Sequence, residues 1–354
     1  MTTRRSPATT RYDPAMHGDA DKAKRQLVRA WRELTGGSEV RDADRPTLLA
    51  VSGGADSSAL ALALAGRPGV RAIGHVVHDL RPKAEAEDDR ALVARLGEQL
   101  GLPVHVERVH VPPGNAEGKA RTVRYEALKR LAVATDCHYV ASAHHADDVL
   151  ETMLAHLIRG TGPRGLRGPA PRRRLGDGVS LVRPMLHITR AQSEAICGAH
   201  GWAWAHDQTN DDPGTADAQL RAALRARVLT VLEELRPGAA IRASRAAEAI
   251  GHAMLVVEGA IDQAWERCVT LDGATLAIER SVFEPLPSAV REGLVRRCVD
   301  HFGGTGHDKL SAHSIGSLGQ WIDSGTGVRE IAGLLFVHDD ESVVVSRAAS
   351  APTM

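Results

Sequence analysis

The stretch "LLAVSGGADSSALALALA", Leu48–Ala65, joins an apolar run to an alanine-rich segment through two adjacent glycines. The pattern predicts a short buried strand over Leu48–Val51 and a helix over Ser57–Ala65. Glycines between a strand and a helix let the backbone turn tightly and approach a ligand. The first helical turn presents N–H groups and a positive dipole end, which together favour an anion. The alternative is a tight turn in which Asp56 caps the helix.

This loop matches neither of two common phosphate-binding patterns. No Gly-Lys-Ser/Thr follows the glycines, as a Walker A loop requires, and the glycines are not spaced as in the dinucleotide fingerprint. Without a lysine, we expect backbone amides and a metal ion to neutralise the anion, with Asp56 as the Mg²⁺ ligand. The candidate anion-binding residues are Ser52, Gly53, Gly54, Ala55, Asp56 and Ser57.

The composition is that of an ordinary globular protein. The chain has 354 residues, enough for two or three domains, and its 44 basic and 44 acidic residues give no overall support for a nucleic-acid partner. Four widely spaced cysteines without a C-x-x-C pair disfavour a zinc ribbon, an iron–sulfur cluster and a disulfide framework. The sequence shows no signal peptide and no apolar run that could cross a bilayer, so we expect a cytoplasmic protein without a membrane partner.

Strand-like and helix-like segments alternate from the opening stretch to residue 158. This alternation predicts an α/β fold with a doubly wound parallel sheet, helices on both faces and ligands at the carboxyl ends of the strands. The glycine- and arginine-rich segment Arg159–Gly178 is interpreted as a long mobile loop. The predicted domains are a disordered tail (1–22), the α/β domain (23–215) and a helical and small α+β extension (216–354).

The segment "SAHHADDVLETMLAHLIRG", Ser142–Gly160, carries the densest group of titratable residues. Asp148 and Glu151 lie at i, i+3 on the predicted helix, close enough to share a cation or an ammonium group. Capping and dipole compensation would also place carboxylates at a helix start. His144 and His145 are adjacent and point to opposite strand faces. A magnesium or amine site is therefore preferred over zinc.

Two groups of arginines could contact anions. Arg124 follows Arg121 by one turn in "GKARTVRYEALKRL", a spacing that suits phosphate or carboxylate forks but also fits a solvated helix face. The second group consists of arginines in the glycine- and arginine-rich segment and in a basic stretch after residue 216. These arginines could bind a nucleic-acid backbone, although a solubilising linker would have the same composition. The members of this group that could contact nucleic acid are Arg159, Arg164, Arg167, Arg221 and Arg225.

Several of these segments together resemble a known family. "SGGADS" is similar to the S-G-G-x-D-S phosphate loop of the N-type ATP pyrophosphatase (PP-loop) superfamily. "HVVHDLR", "ARTVRYEAL", "AHHADDVLETMLAHLIRGTGPRGL", "VRPMLHITR" and "HDQTNDD…LRAALRARVL" follow in the order seen in bacterial tRNA(Ile)-lysidine synthetases. The resemblance is strong over roughly residues 45–235 and weak in the extension, which looks like that family's tRNA-binding region.

The resemblance implies a reaction and its participants. ATP, with Mg²⁺, would adenylate the wobble cytidine of tRNA(Ile) with a CAU anticodon, and free L-lysine would displace AMP to give lysidine. The loop Ser52–Ser57 would hold pyrophosphate, with Asp56 and Mg²⁺ stabilising it. The other implied catalytic residues are Arg124 for charge near the reacting centre, His144 at the adenylation site, and Asp148 and Glu151 for the lysine amino groups. A PP-loop tRNA thiolase and a non-catalytic nucleotide-binding module remain as alternatives, and a homodimer is left open.

Overall fold

The protein was analysed as a computed structural model. It describes residues 14–79, 83–112, 116–205, 216–302, 312–324, 327–331, 333–338 and 341–348. The chain forms two compact units, one of residues up to Ala155 together with Gly168–Ala247, and one of His156–Arg167 together with residues from Glu248 onward. The sequence-based boundary at residue 216 differs from this division, because residues up to Ala247 group with the first unit.

The first unit contains a six-stranded sheet with the order β3-β2-β1-β4-β6-β5. Its strands are β1 (Thr47–Ala50), β2 (Val70–His78), β3 (Val104–Val109), β4 (Tyr139–Ala141), β5 (Arg172–Gly176) and β6 (Val179–Val182). Every neighbouring pair is parallel except β5 with β6, which is antiparallel. The predicted α/β fold with a parallel sheet is confirmed, with one antiparallel strand added at an edge.

The first unit contains helices before, between and after its strands along the chain. They are α1 (Pro14–Leu34), α2 (Ala55–Leu64), α3 (Lys83–Leu100), α4 (Ala116–Ala134), α5 (Ala146–Ile158), α7 (Arg190–Ala199), α8 (Ala216–Ala223) and α9 (Thr230–Leu235), and α10 (Ala239–Cys268) begins in this unit. Helix α2 is buried along almost its whole length, as its continuous run of alanine and leucine requires.

Helix α1 occupies part of the region expected to be a disordered tail. Ala23, Leu27 and Trp31, spaced four residues apart, are fully buried on its inner face. This spacing is one apolar stripe of an amphipathic helix, and burying it against the sheet domain fixes the helix. Residues 1–13 of the expected tail lie outside the described residues.

The segment Arg159–Gly178 is not one long loop, so that interpretation was wrong. It contains the short helix α6 (Pro163–Leu166) and strand β5. Arg172 lies over the Tyr139 ring at 5.5 Å, and Arg173 lies over the Tyr125 ring at 4.9 Å. An arginine-rich strand is suited to a sheet edge, because its charge disfavours pairing with a further strand. Glycine and arginine content alone does not predict such a strand.

The second unit has its own antiparallel sheet with the order β7-β8-β11-β10-β9. The strands are β7 (Val269–Asp272), β8 (Thr275–Glu279), β9 (Gly327–Ile331), β10 (Leu334–His338) and β11 (Ser342–Arg347). The accompanying helices are α6, the end of α10, α11 (Arg280–Phe283), α12 (Ser288–His301) and α13 (Ala312–Ser324). Phe283, Leu294 and Phe336 are fully buried in a separate core of this unit.

Candidate membrane spans were sought among the helices of the described ranges. None of these helices combines the length and the apolar character that crossing a bilayer requires.

Candidate active site

A cleft of about 910 Å³ opens in the first unit at the carboxyl ends of β1 and β4. It brings together the loop after β1 and the acidic start of α5, which are about ninety residues apart in sequence. Its charged and polar lining includes Ser52, Asp56, Ser57, Arg124, His144, His145, Asp147, Asp148, Glu151, Arg190, Arg225, Glu233 and Glu234. The two segments that the sequence analysis singled out therefore share one cavity.

The loop between β1 and α2 is shaped by one glycine and one serine. Gly53 has a φ of +103°, a conformation that side-chain-bearing residues rarely adopt. The buried hydroxyl of Ser57 accepts a hydrogen bond from the Ser52 N–H and donates to the Gly54 carbonyl, each at 3.1 Å. Gly54 is the N-cap and makes no side-chain capping bond, so the cap role considered for Asp56 was wrong. The start of α2 thus faces the cleft.

Replacing Gly53 by alanine tests the loop. We expect a loss of about 1–3 kcal/mol in the free energy of unfolding, because the positive φ strains any residue with a Cβ atom, and weaker ATP binding because the loop is distorted. Urea denaturation and ATP titration measure the two effects. Gly66→Ala is the matched control, since a Cβ there meets no atom within 4 Å and the backbone has no positive φ. Equal behaviour of the two variants would contradict the prediction.

His145 lies among three carboxylates at the floor of the cleft. Its Nε2 is 3.4 Å from Asp56 Oδ2 and 3.7 Å from Asp148 Oδ1, and its Nδ1 is 3.5 Å from Asp147 Oδ2. Burial disfavours the charged imidazole, but the three carboxylates outweigh burial and raise the pKa of His145 well above its usual value. The same contacts overcome burial at Asp56 and lower the pKa of that carboxyl. The cluster is therefore a buried cation surrounded by anions.

His144, the neighbouring residue, has the opposite electrostatic environment. Burial together with the guanidinium groups of Arg183, Arg124 and Arg121 holds the pKa of His144 well below its usual value. Its Nδ1 lies 3.1 Å from the Ser142 hydroxyl. The sequence analysis chose His144 as the site residue and missed His145 and Asp147, although both stand in the same "AHHADD" segment. No local pattern distinguishes the two histidines.

The cleft fits a divalent cation at Asp56. The Oδ1 atom of Asp56 is buried and has no hydrogen-bond partner among the described residues. Such an orphaned carboxylate oxygen is a suitable ligand for Mg²⁺, which takes one or two protein carboxylates and completes its shell with phosphate and water. The described residues contain no group of three or more His, Cys, Asp or Glu side chains arranged as a metal cage.

Glu151 lies one helical turn after Asp148 and contacts two arginines. Its side chain is only 4% exposed, its Oε2 accepts a hydrogen bond from Arg225 Nε, and its Oε1 lies 3.7 Å from Arg221 Nη1. An ammonium group would have to compete with two guanidinium groups for this carboxylate. Asp148 is 36% exposed and accepts from the His145 backbone N–H at 3.0 Å. Both carboxylates line the cleft, and the expected role of Asp148 and Glu151 as ammonium ligands stays a prediction.

Arg225 reaches Glu151 from an irregular stretch of helix. Residues Leu224–Leu229 form a π-helical segment between α8 and α9. A π-helical turn rotates the side chains that follow it, and such turns are frequent at functional sites. Arg225, expected to bind tRNA, therefore lines the cleft instead of a solvated helix face.

The remaining predicted residues are placed as follows. Arg124 is exposed at the cleft wall, with its guanidinium 5.5 Å from the centre of the Tyr125 ring. Arg164 and Arg167 lie in the second unit and pair with Glu258 at 3.2 and 2.8 Å, and the exposed Arg159 belongs to the same unit. The quoted segment His206–Asp212 lies outside the described residues.

Comparison with known proteins identifies the family. A family model described as a PP-loop domain matches residues 21–232. A tRNA(Ile)-lysidine synthase from Leifsonia xyli is 37% identical over 307 residues, which are 82% of this chain and 89% of that protein. The chain belongs to the tRNA(Ile)-lysidine synthase family of PP-loop proteins. The resemblance stated from the sequence motifs is confirmed.

Two other members of the family match over a smaller share of their length. The protein from Bordetella bronchiseptica is 42% identical over 200 residues, 54% of this chain and 56% of its own length. The protein from Thermus thermophilus is 38% identical over 268 residues, 73% of this chain and 49% of its own length. The chain thus spans about half the length of these two relatives.

Among solved structures, a U34-tRNA thiolase from Methanococcus maripaludis matches with a TM-score of 0.52 at 16% identity. The match covers 67% of this chain and 80% of the thiolase. At this identity the likeness supports the fold alone.

Proposed function

We propose that the chain is an ATP-dependent ligase that joins free L-lysine to C2 of the wobble cytidine of tRNA(Ile) with a CAU anticodon. The observation that carries the proposal is the single cleft that holds both the loop after β1 and the acidic start of α5. An anion-binding loop suits the phosphates of ATP, and an acidic helix start suits an amine. ATP and tRNA both occur in the cytoplasm, which is the proposed location.

The first step is adenylation of the cytidine. The C2 oxygen attacks the α-phosphorus of ATP, the bond to the β-phosphate breaks, and pyrophosphate leaves. The N–H groups of the loop Ser52–Ser57 would hold the departing diphosphate, and Arg124 at the cleft wall would stabilise charge near the reacting phosphorus. Mg²⁺ bound at Asp56 would neutralise part of the phosphate charge. His144 would line this site as a neutral imidazole.

The second step joins lysine to the cytidine through the amine of its side chain. The deprotonated amine attacks C2 and the bond from C2 to the adenylated oxygen breaks, so that AMP leaves with that oxygen. Asp148, at the start of α5, is the proposed ligand of the incoming ammonium group before it loses its proton. Arg159, Arg164, Arg167, Arg221 and Arg225 are proposed contacts to the tRNA backbone.

The cysteines disfavour the thiolase alternative. All four cysteines are buried, and none of them forms a disulfide. Cys197 is next to the loop and donates from Sγ to the Ala55 carbonyl at 3.4 Å, and burial raises the pKa of its thiol to about 12. A thiol with so high a pKa is a poor nucleophile. A non-catalytic nucleotide-binding module would leave the acidic group around His145 without a role.

The direct test incubates the protein with ATP, Mg²⁺, a tRNA(Ile) transcript with the CAU anticodon and radiolabelled lysine. We expect label in the tRNA together with release of AMP. A transcript in which the wobble cytidine is replaced by uridine is the matched control and should stay unlabelled. Sulfur-dependent modification without lysine would support the thiolase, and ATP binding without turnover would support the non-catalytic module.

A further inference from the structure

Four arginines in the first unit surround the aromatic ring of Tyr125. The guanidinium groups of Arg121, Arg124 and Arg173 lie 5.6, 5.5 and 4.9 Å from the centre of this ring. Arg183 donates from Nη2 to the Tyr125 hydroxyl at 3.4 Å. We call these five residues the Tyr125 cluster. It joins α4, β5 and the residue after β6, and the proposed reaction gives a task to Arg124 alone.

The charge of the Tyr125 cluster is not neutralised by carboxylates. Within the described ranges, none of its four arginines forms an ion pair with an acidic side chain. Arg130, on the same helix α4, does form one, with 2.9 Å between its Nε and Glu107 Oε1. Burial and the guanidinium groups of Arg121 and Arg173 lower the pKa of Arg183. The positive charges of the cluster therefore repel one another, and a bound anion would relieve that repulsion.

The Tyr125 cluster has a buried base and an exposed surface. Arg183 and Tyr125 are 3% and 4% exposed, whereas Arg121, Arg124 and Arg173 are exposed. The cation–π contacts with the buried ring hold these three long side chains in place, so less conformational entropy is lost when they bind a ligand. In the part of the chain that the structure describes, the three exposed guanidinium groups make no hydrogen bond. Their N–H groups are therefore available to an anion such as a phosphate.

The location of the Tyr125 cluster favours RNA phosphates over the phosphates of ATP. Arg124 and Tyr125 line the cleft, whereas Arg173 belongs to β5, the edge strand three positions from β1 in the sheet. Three strand spacings amount to roughly 14 Å, and the phosphates of ATP are proposed to lie at the loop after β1. An RNA strand carries a phosphate at every nucleotide, so it can cross the edge strand and still place one unstacked base in the cleft.

We infer that the Tyr125 cluster binds the phosphate backbone of the RNA strand that carries the reacting base, and that it directs this base into the cleft. The inference rests on the proposed function, and it adds Arg121 and Arg173 to the proposed tRNA contacts. Arg183 is a positioning residue, because it is buried and acts through the Tyr125 hydroxyl.

Binding of a tRNA(Ile) transcript with the CAU anticodon, measured by fluorescence anisotropy at several salt concentrations without ATP or lysine, tests the surface. We expect Arg121→Met and Arg173→Met each to weaken binding about tenfold, the value of one charge-assisted contact. Each should also lower the slope of the logarithm of the association constant against the logarithm of the salt concentration by about 0.7, the share of one phosphate contact on a single strand. ATP titration should give the wild-type dissociation constant for both variants.

Arg130→Met is the matched control. It removes the same charge from the same helix, but from an arginine that is paired with Glu107, so tRNA binding and its salt dependence should stay those of the wild type. Arg121→Lys and Arg173→Lys keep the charge and should keep the wild-type salt slope. A merely structural role of these arginines would change the free energy of unfolding in urea and leave the salt slope unchanged.

Two results would overturn the assignment. One is a loss of tRNA affinity in Arg130→Met as large as in Arg121→Met, because the attraction would then depend on overall charge. The other is weaker ATP binding with unchanged tRNA binding in Arg121→Met and Arg173→Met, because ATP would then be the ligand of the Tyr125 cluster.

Measuring tRNA binding without turnover separates this inference from the proposed function. The expected loss of tRNA affinity and of salt slope in Arg121→Met and Arg173→Met supports the surface even if no labelled lysine reaches the tRNA. Conversely, a variant with both substitutions that labels tRNA with the wild-type KM for tRNA contradicts the surface and leaves the proposed ligase in place.

Discussion

Asp56→Asn is expected to lower the rate of AMP formation about 10³-fold, the effect of removing an electrostatic group at a phosphoryl-transfer site. The amide keeps the shape of the side chain but removes the charge that the buried Oδ1 atom offers to a cation. His145 retains two other carboxylate neighbours, at 3.5 and 3.7 Å. The free energy of unfolding should therefore change by less than about 1 kcal/mol. Single-turnover AMP release and urea denaturation measure the two quantities.

Asp44→Asn is the control for this variant. Asp44 is half exposed and pairs with Arg41 at 2.7 Å, away from the cleft. Its replacement should change neither AMP release nor stability appreciably, because exposed ion pairs contribute little. If Asp56→Asn released AMP at the wild-type rate, the metal and phosphate role of the loop would be wrong.

His145→Ala is expected to destabilise the protein by about 3–5 kcal/mol, the usual cost of removing one partner from a buried charged group. The variant leaves three carboxylates facing one another without the cation between them. We also expect AMP formation to fall about 10²-fold, because Asp56 and Asp148 would no longer be held in place and small displacements of reacting groups are costly. Urea denaturation measures the first effect, and single-turnover kinetics on the folded fraction measure the second.

His138→Ala provides the comparison. His138 is exposed at the start of β4, so its removal should change the free energy of unfolding by less than about 0.5 kcal/mol. Two results would refute the role assigned to His145. One is a stability of His145→Ala equal to that of His138→Ala, and the other is an unchanged rate of AMP formation in a destabilised protein.

Much of the fold followed from local sequence patterns. The apolar strand, adjacent glycines and alanine-rich helix at residues 48–65 predicted β1, the loop and α2, and the strand–helix alternation predicted the parallel sheet. The missed elements were those whose stability depends on distant partners. Strand β5 pairs along β6 at the sheet edge, and α1 buries Trp31 in the core. Neither the arginines of β5 nor the polar start of α1 predicts these contacts.

The sequence likewise predicted one part of the candidate site and missed another. The rule that ligands bind at the carboxyl ends of parallel strands predicted that Asp56 and Asp148 would share one edge, and both line the cleft. The rule does not specify which arginine reaches that edge. Arg225 stands in a basic stretch that the sequence relates to nucleic acid, and only the structure shows that it lies in a π-helical segment and pairs with Glu151.

The sequence alone determined the glycine loop, the helix that follows it and the carboxylates that open α5, because backbone geometry and residue spacing are local properties. Only the tertiary structure decided which charges meet. His144 and His145 are neighbours in sequence, yet burial and nearby arginines lower the pKa of His144, whereas carboxylates outweigh burial and raise the pKa of His145. Glu151 likewise pairs with Arg221 and Arg225, which lie about seventy residues further along the chain. Electrostatic interactions depend on distances through space and on burial, and neither is set until the sheet, α5 and the helices after residue 216 have packed together.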